Sequence, residues 1–277
     1  FDKTINGNAK LELSMSGFTI GNKTIYKNLY SLKAGEIVLF QENNYAYIQY
    51  YKYFSEIVNK SFDEYLEELS EVTLNIFRKM LKQIGDRQII IPLSAGNDSR
   101  LVASILKHLG ATNVKCYSYG AAGNFEAKIA KIIAHKLGYE WKFIPLTHKS
   151  EKKYYASNDY KKYLNYSETF CSVPHFQSLS TIKYLKDLNW IDNDAVFING
   201  NSGDFITGGH INKNIKDNKE INSASIKLRK ENILNQLIEK HFSLWGYLKT
   251  EQNIHQIKKN LWNEITKSCN DLMSQDK

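Results

Sequence analysis

Cysteine, proline and long apolar runs are scarce in this sequence, and each scarcity argues against a class of protein. The 277 residues include three prolines and three cysteines, and Cys116, Cys171 and Cys269 form no CxxC pair. Thiols that are few, scattered and odd in number favour a reducing cytosol over a disulfide scaffold, and no His/Cys/Asp cluster has zinc-site spacing. The longest apolar stretches, such as residues 89–93, are far shorter than the roughly 18–20 residues that a bilayer requires. We therefore expect a cytoplasmic protein without a membrane span.

Acidic residues are fewer than basic ones, 29 against 37, which gives a formal net charge of +8. A basic balance can indicate nucleic acid, an anionic membrane or a phosphate-bearing ligand as a partner. The lysines between residues 149 and 162, however, are mixed with acids and tyrosines. A solvated, lysine-rich surface is the simpler interpretation, so we favour neither a nucleic acid nor a membrane as partner. The oligomeric state stays open.

Hydrophobic periodicity divides the chain into a short β segment, an alternating section and a helical tail. Two strands, Glu36–Phe40 and Tyr45–Tyr50, form a predicted hairpin, and apolar residues at helical spacing predict a helix over Phe62–Ile84. The alternating section has predicted strands at Gln88–Leu93, Val114–Tyr119, Trp141–Leu146 and Ala195–Asn199 and predicted helices at Ser99–Leu109 and Phe125–Leu137. The tail, Ser223–Met273, is helix-forming throughout. This order predicts an α/β fold with a doubly wound parallel sheet, an N-terminal β-hairpin and a helical C-terminal tail.

A cluster of small and polar residues, from Ser94 to Ser99, follows the first strand of the alternating section and opens the next helix. Small residues let the backbone approach an anion closely, and the unpaired amides at a helix start point toward it. A loop in this place lies at the carboxyl edge of a parallel sheet, where open α/β folds bind ligands. Because Asp98 would repel a bound phosphate, we expect Mg²⁺ to bridge the two. The plainer alternative is a Ser/Asn/Asp helix cap.

A second glycine-rich turn follows the strand at Ala195–Asn199 and runs on to His210. It carries one aspartate, Asp204, at what we expect to be the same sheet edge as Asp98. Two carboxylates at one edge are suited to holding one Mg²⁺ on a triphosphate, which makes Asp98 and Asp204 the candidate catalytic and metal-binding residues. Without the first loop, this turn would be equally consistent with a simple connector.

The first loop resembles the SGGxDS pyrophosphate-binding loop of the N-type ATP pyrophosphatases, with Ala95 in place of one glycine. The two turns, in this order, resemble the synthetase domain of the asparagine synthetase family, whose second motif reads SGEGADELFGGY. The resemblance implies an adenine nucleotide alpha hydrolase-like fold, with Asp98 and Asp204 holding Mg²⁺ and pyrophosphate. It also implies a nucleotide-binding set that consists of Leu93, Ser94, Ala95, Gly96, Asn97, Asp98, Ser99, Tyr119, Asn199 and Gly200.

The same resemblance implies a domain division and an activity. Residues 1–55 are similar to the end of the family's N-terminal glutaminase β domain, and residues 56–277 to its ATP pyrophosphatase synthetase domain. The implied enzyme is a C–N ligase that uses ATP and Mg²⁺ to activate a carboxylate as an acyl-adenylate and then joins it to ammonia from glutamine. The motif forms SGxxDSR and SGDFxxGGH look most like asparagine-synthase-like proteins of surface-polysaccharide gene clusters, which implies a sugar acid as the small-molecule substrate.

Several positions depart from the family pattern. Asn201 stands where the family has a glutamate thought to help deprotonate the attacking nitrogen, and Phe205 replaces an acid. Asn201, Arg100 and His210 are candidate substrate-binding residues. The chain has no N-terminal catalytic cysteine, and the family's adenylation lysine would lie beyond Lys277. We therefore expect a fragment that lacks its ammonia-supplying glutaminase domain and turns over poorly, if at all, when alone.

Alternatives to this activity stay open at the level of sequence. They are asparagine synthesis proper, a tRNA- or nucleotide-modifying enzyme with the same loop, ring closure by an internal amine, and a catalytically degenerate nucleotide-binding partner subunit. Asn201 and Phe205 favour the last of these, because both replace acidic residues of the family motif.

Overall fold

The computed structural model describes residues 2–42, 44–53, 58–201, 203, 208–209 and 226–273. Contacts divide the chain into two compact units. The sheet unit comprises Glu56–Tyr163 and His175–Gly209, and the terminal unit comprises Phe1–Ser55, Leu164–Pro174 and His210–Lys277. Each unit has a hydrophobic core of its own.

The described helices and strands follow one another along the chain. They are α1 Gly7–Ser16, β1 Glu36–Gln41, β2 Asn44–Gln49, α2 Phe62–Ile84, β3 Ile89–Pro92, α3 Asn97–His108, β4 Val114–Gly120, α4 Phe125–Leu137, β5 Glu140–Pro145, α5 His148–Tyr155, α6 Asn158–Ser167, α7 Leu179–Asp187, β6 Val196–Phe197, α8 Ile226–His241 and α9 Glu251–Met273. None of the helices in the described part of the chain is both long enough and apolar enough to cross a membrane.

The sheet unit is built on parallel strands in the order β5–β4–β3–β6. Ile89 of β3 pairs with Val114 of β4 on one side and with Val196 of β6 on the other. The carboxyl end of β3 is therefore flanked by strands on both sides. The loops that follow β3, β4 and β6 consequently leave the sheet at one edge.

Helices cover both faces of this sheet. Ile89 and Ile91 of β3 belong to a buried cluster that includes residues of α2, α3 and α4. Ile90, between them, points to the opposite face, where it shares a cluster with Leu185 of α7 and with Trp190. Successive residues of a strand face opposite sides, so a strand that is apolar on both faces is buried on both. The predicted doubly wound α/β fold is confirmed.

Strands β3, β4 and β5 differ from their predicted bounds by one residue at one end or both, and two elements of the sheet unit differ by two residues at an end. α3 begins at Asn97 rather than Ser99, because Gly96 is extended, at φ −68° and ψ 160°, and serves as its N-cap. This places Asp98 in the first turn of the helix. β6 is limited to two residues instead of Ala195–Asn199, since Val196 and Phe197 alone pair in register with β3 before the chain turns into the glycine-rich loop.

The terminal unit contains the predicted β1–β2 hairpin, which is antiparallel and pairs Glu36 with Gln49. Its helices differ from expectation in two ways. α1 was not predicted, because its apolar residues form no continuous stripe; Asn6 caps its start and Gly17 ends it in the left-handed conformation. The predicted helical tail is two helices, which the short 3₁₀ turn Gly246–Leu248 separates. Residues 223–225 of that prediction lie outside the described residues.

A buried carboxylate holds the terminal unit together. The side chain of Glu12 is fully buried and forms an ion pair with Lys23. Its other hydrogen bonds come from the amide of Ile20 at 2.8 Å and the side chain of Asn260 at 2.7 Å. A buried charge is costly unless it is paired and hydrogen-bonded, and Glu12 meets both conditions. It thereby ties α1, the turn after it and α9 to one another.

Candidate functional site

A cavity of about 480 Å³ lies at the carboxyl edge of the parallel sheet. It is bounded by the loop from β3 to α3, the end of β4, the start of α4 and the loop after β6. Its lining residues are Pro92, Leu93, Ser94, Gly96, Asp98, Ser99, Tyr117, Ser118, Tyr119, Asn124, Glu126, Ala127, Gly200 and Asn201. A cavity at this edge is where open α/β folds bind ligands.

The β3–α3 loop is held in shape by hydroxyl groups. The hydroxyls of Ser94 and Ser99 lie 3.0 Å apart, and the Ser94 amide donates to the Ser99 hydroxyl at 3.1 Å. The Gly96 amide in turn donates to the Ser94 hydroxyl, also at 3.1 Å. These bonds curl the loop back on the first turn of α3. The buried Ser99 therefore stabilises the conformation of the loop through its hydroxyl group.

The N-terminus of α3 lacks a side-chain cap. Gly96 occupies the N-cap position, and glycine has no side chain that could accept a hydrogen bond from the helix amides. The amides of Asn97, Asp98 and Ser99, in the first turn, have no carbonyl partner within the helix. Such amides, at the positive end of the helix dipole, favour an anion.

The N-terminus of α4, beside it, is capped. The Asn124 side chain accepts hydrogen bonds from the amides of Glu126 and Ala127, at 2.8 and 3.4 Å. The first turn of α4 carries the acidic Glu126, which lines the cavity. This wall therefore offers an acceptor where the α3 wall offers donors.

The loop after β6 lies directly against Asp98. A Cβ added to Gly200 would come within 2.7 Å of the Asp98 carbonyl carbon, the Asp98 Cβ and the Ser99 amide nitrogen. A Cβ added to Gly203 would lie 2.1 Å from Asp98 Oδ1. Because the atoms close to Gly200 include backbone atoms, which cannot move aside, glycine is required there, whereas a side chain at position 203 would require the Asp98 carboxylate to shift. The two glycine-rich turns meet at this point.

A buried hydroxyl fixes the residue that precedes the loop. The Ser118 hydroxyl donates to the Leu93 carbonyl at 2.6 Å and accepts from the Trp141 indole at 3.1 Å. The Leu93 amide donates to the Tyr117 carbonyl at 2.8 Å, which extends the β3–β4 ladder beyond β3. The entry to the loop is therefore rigidly placed before any ligand arrives.

Two phenols of β4 line the cavity and stay protonated at neutral pH. Burial raises the pKa of Tyr117 strongly, with the neighbouring Tyr119 adding to the shift, and burial also raises the pKa of Tyr119. Their rings stack with centroids 6.2 Å apart. The wall along β4 is therefore uncharged and largely flat.

The structure brings most of the predicted site residues to this cavity. Those that line it are Leu93, Ser94, Gly96, Asp98, Ser99, Tyr119, Gly200 and Asn201. Four predicted site residues do not line the cavity: Ala95 and Asn199 lie in the adjoining loops, and Asn97 and Arg100 lie in the first turn of α3. The Arg100 guanidinium donates to the Ala95 carbonyl at 2.8 Å. Asp204 and His210 lie outside the described residues.

Sequence reasoning missed part of the lining. Pro92, Tyr117, Ser118, Asn124, Glu126 and Ala127 are cavity residues that were not predicted as site residues. The signal that could have found the last three is an Asn cap with an acid two residues later, directly after the strand next to β3. The loop after that strand reaches the same sheet edge.

The charge of the lining bears on which ligand fits. Its ionisable groups include the carboxylates of Asp98 and Glu126, and no Lys, Arg or His stands among the described lining residues. No cluster of three His, Cys, Asp or Glu side chains suited to a metal occurs in the described ranges. The half-buried Asp98 offers carboxylate oxygens, which suit Mg²⁺, beside amides that suit phosphate. The residues present thus fit a metal that shares its ligands with a phosphate group.

No curated protein matches the chain. Among solved structures, an NH3-dependent NAD synthetase from Campylobacter jejuni subsp. jejuni NCTC 11168 is 14% identical, with a TM-score of 0.35, over 71% of this chain and 93% of that one. A protein described as a predicted subunit of tRNA methyltransferase, from Methanocaldococcus jannaschii, is 19% identical, with a TM-score of 0.25, over 62% of this chain and 74% of that one.

Most of the sheet unit and its cavity match a known family. The family model described as asparagine synthase matches residues 78–269, which is more than half of the chain. The match includes both glycine-rich turns and every lining residue of the cavity. The chain belongs to the asparagine synthase family.

Proposed function

We propose that this protein activates a carboxylate with ATP and converts it to an amide through an acyl-adenylate. Membership of the asparagine synthase family supports an ATP-using synthetase of the amidation type. The observation that carries the finer proposal is the meeting of three features at one cavity. These are the uncapped start of α3, the carboxylate of Asp98 and the tightly packed glycine turn at Gly200 and Gly203.

The proposed nucleotide lies with its triphosphate at the start of α3. The free amides of that turn would bind phosphate oxygens, and the loop hydroxyls would add donors. Because no cationic side chain stands among the described lining residues, the charge of the triphosphate needs a metal. Asp98 would hold Mg²⁺ there, and Asp204, outside the described residues, is proposed as its second carboxylate. When bound, the metal would neutralise charge on the phosphates.

The reaction follows from this placement. An oxygen of the substrate carboxylate attacks the α-phosphorus, an O–P bond forms, the bond from Pα to the bridging oxygen breaks, and pyrophosphate leaves. Ammonia then attacks the acyl carbon, a C–N bond forms, AMP leaves on its oxygen, and the nitrogen loses a proton. The protein contributes positioning and fixed dipoles at the α3 start. Asn201, on the cavity wall, is proposed to contact the acceptor but cannot take that proton, because an amide is not a base.

Partners and substrate are part of the proposal. Ammonia would come from glutamine through a glutaminase domain, and the β1–β2 hairpin is proposed as the end of such a domain. A sugar acid is the proposed substrate, with asparagine synthesis proper as the second possibility. We propose that the protein acts in the cytoplasm, where ATP is available and its scattered cysteines stay reduced. We propose neither a nucleic acid nor a membrane as its partner.

The test is product analysis with radiolabelled ATP, Mg²⁺, an ammonium salt and a panel of carboxylates that includes sugar acids and aspartate. The protein is used in excess over ATP, so that even slow turnover is detected, and the proposal expects AMP and pyrophosphate in equal amounts, dependent on one acid. Ammonium replaces glutamine, so the result does not depend on a glutaminase domain. Release of ADP and phosphate would contradict the proposal.

A matched pair of variants makes this test specific to the site. Asp98→Asn removes the proposed metal ligand, whereas Asp86→Asn changes an exposed aspartate before β3, at the amino end of that strand. The first should abolish pyrophosphate release and the second should not. ATP binding by the wild type without pyrophosphate release on any acid would instead support the nucleotide-binding partner subunit, which the Asn201 substitution favours.

A further inference from the structure

Glu126 is a cavity carboxylate to which neither the sequence motifs nor the proposed chemistry assigns a task. It stands two residues after the N-cap of α4 and lines the same cavity as Asp98. Its backbone amide donates to the Asn124 side chain, and its carboxylate, on an exposed residue, makes no hydrogen bond or ion pair with any described residue. A carboxylate that the fold leaves unpaired in a ligand cavity is available to the ligand.

The two helix starts at this edge limit where a nucleotide can place its charge. The α3 start is uncapped and presents free amides, whereas the α4 start is already satisfied by Asn124. A triphosphate beside Glu126 would meet a like charge and no free amide, and both effects disfavour it. The triphosphate therefore belongs at α3, and the uncharged part of the nucleotide belongs toward α4.

The polar side chains near Glu126 are already engaged and offer few free acceptors to a ligand hydroxyl. The Asn124 side-chain oxygen accepts hydrogen bonds from two amides. The side-chain nitrogen of Asn124 packs close to Gly120: a Cβ added to Gly120 would lie 2.8 Å from it. The Ser118 hydroxyl is occupied by Leu93 and Trp141. Glu126 is thus the acceptor that the α4 wall leaves open.

We propose that Glu126 accepts hydrogen bonds from the ribose hydroxyls of the bound nucleotide and makes the site selective for ribonucleotides. A carboxylate is an acceptor with two oxygens, and a vicinal diol offers two O–H donors, so the pairing is complementary. This inference rests on the proposed function, since it requires ATP in the cavity with its triphosphate at α3.

The experiment measures binding by calorimetry, with Mg²⁺ and without any acid substrate, so that no turnover is needed. The full chain is titrated with ATP and with 2′,3′-dideoxy-ATP, which lacks both hydroxyls. Wild type should prefer ATP by about tenfold or more, the size expected for a hydrogen bond to a charged group. Glu126→Ala should bring the two affinities to within about threefold, chiefly by weakening ATP. Glu126→Gln, which keeps one acceptor oxygen, should fall between them.

A control and separate outcomes make the result decisive. Glu67→Ala removes an exposed glutamate of α2 that does not line the cavity and should keep the wild-type preference. If Glu126→Ala weakens both nucleotides equally, or leaves the preference unchanged, the assignment of Glu126 is wrong although the nucleotide site stands. If wild type binds neither nucleotide, the proposed function fails first. Thermal melting of each variant distinguishes lost folding from lost recognition.

Discussion

The starts of α3 and α4 occupy equivalent places in one fold and differ in chemistry. Each follows a parallel strand, and each leaves the sheet at the same edge. At α3 the N-cap is a glycine, which provides no side-chain hydrogen bond, and hydrogen bonds of serine hydroxyls hold the preceding loop in shape. At α4 an asparagine caps the helix and an acid follows. The topology supplies two potential anion sites, and the side chains keep one of them and close the other.

We propose that this difference orients the nucleotide, since no cationic side chain stands among the described lining residues. In the proposed binding mode, free amides attract the phosphates to the start of α3, and a cap together with a carboxylate turns them away from the start of α4. The apolar and phenolic wall of β4 lies between the two. The polarity of the cavity is therefore set by which helix start is left unsatisfied.

The largest expected effect comes from the charge at the α3 start. Asp98→Asn, or chelation of Mg²⁺ with EDTA, should weaken ATP binding on the order of 100-fold, because the triphosphate then lacks its counter-charge. Calorimetric titration with ATP measures this, and Asp86→Asn serves as control. ATP binding that is equally tight in EDTA would show that the amides suffice and that Asp98 holds no metal.

The next effect concerns the packing of the second turn on the first. Gly200→Ala should lower the free energy of unfolding by about 1–3 kcal/mol, since its Cβ would overlap Asp98 and Ser99 atoms at 2.7 Å. ATP affinity should fall with it, because the α3 start must shift. Gly96→Ala is the matched control: its Cβ meets the Ser94 hydroxyl alone, at 3.2 Å, and its backbone is extended. Equal stability of the two variants would contradict the close approach.

The third prediction concerns a variant in which a side chain caps the start of α3, as Asn124 caps the start of α4. Gly96→Asp supplies a capping carboxylate at a position whose backbone already suits an N-cap. Stability should rise by about a few tenths of a kcal/mol, whereas ATP affinity should fall, because the new carboxylate takes the amides and repels phosphate. Denaturant titration and calorimetry measure the two quantities. Tighter ATP binding in this variant would refute the placement of the triphosphate.

The reverse change opens the α4 start. Asn124→Ala removes two cap hydrogen bonds and should cost about 1 kcal/mol, seen as a lower melting temperature. ATP should bind no more tightly, since Glu126 still repels phosphate there. The double variant Asn124→Ala with Glu126→Ala isolates the effect of the carboxylate: a gain in phosphate affinity in the double variant but not in Asn124→Ala would show that Glu126 still keeps anions away once the cap is removed.

The smallest expected effect is that of pH. Burial raises the pKa of Tyr117 and Tyr119 above the ordinary value of about 10 for tyrosine, so both phenols stay neutral as the pH rises from about 7.5 to 9. ATP affinity should be flat across that range. A steep loss of affinity below pH 9, abolished by Tyr119→Phe, would mean that a cavity phenol ionises early.

Local sequence patterns were sufficient to predict the sheet and the first loop. The apolar strand before Ser94 and the small residues after it predict a loop at the sheet edge, and α2 and α4 have their predicted bounds. Periodicity could not reveal α1, whose stability comes from contacts such as that of Glu12 with Asn260, far away in sequence. Nor could it reveal the role of Gly200, because its need for glycine arises from contact with Asp98 across the edge. Asn124 and Glu126 could have been found by applying the same loop argument to β4.

The most direct test of the proposed nucleotide placement is a crystal structure of the protein with Mg²⁺ and a non-hydrolysable ATP analogue. Phosphate oxygens should lie within hydrogen-bonding distance of the amides of Asn97 to Ser99, with a metal on Asp98 and the ribose facing Glu126. A triphosphate found against the capped start of α4, or a nucleotide bound away from this cavity, would contradict it.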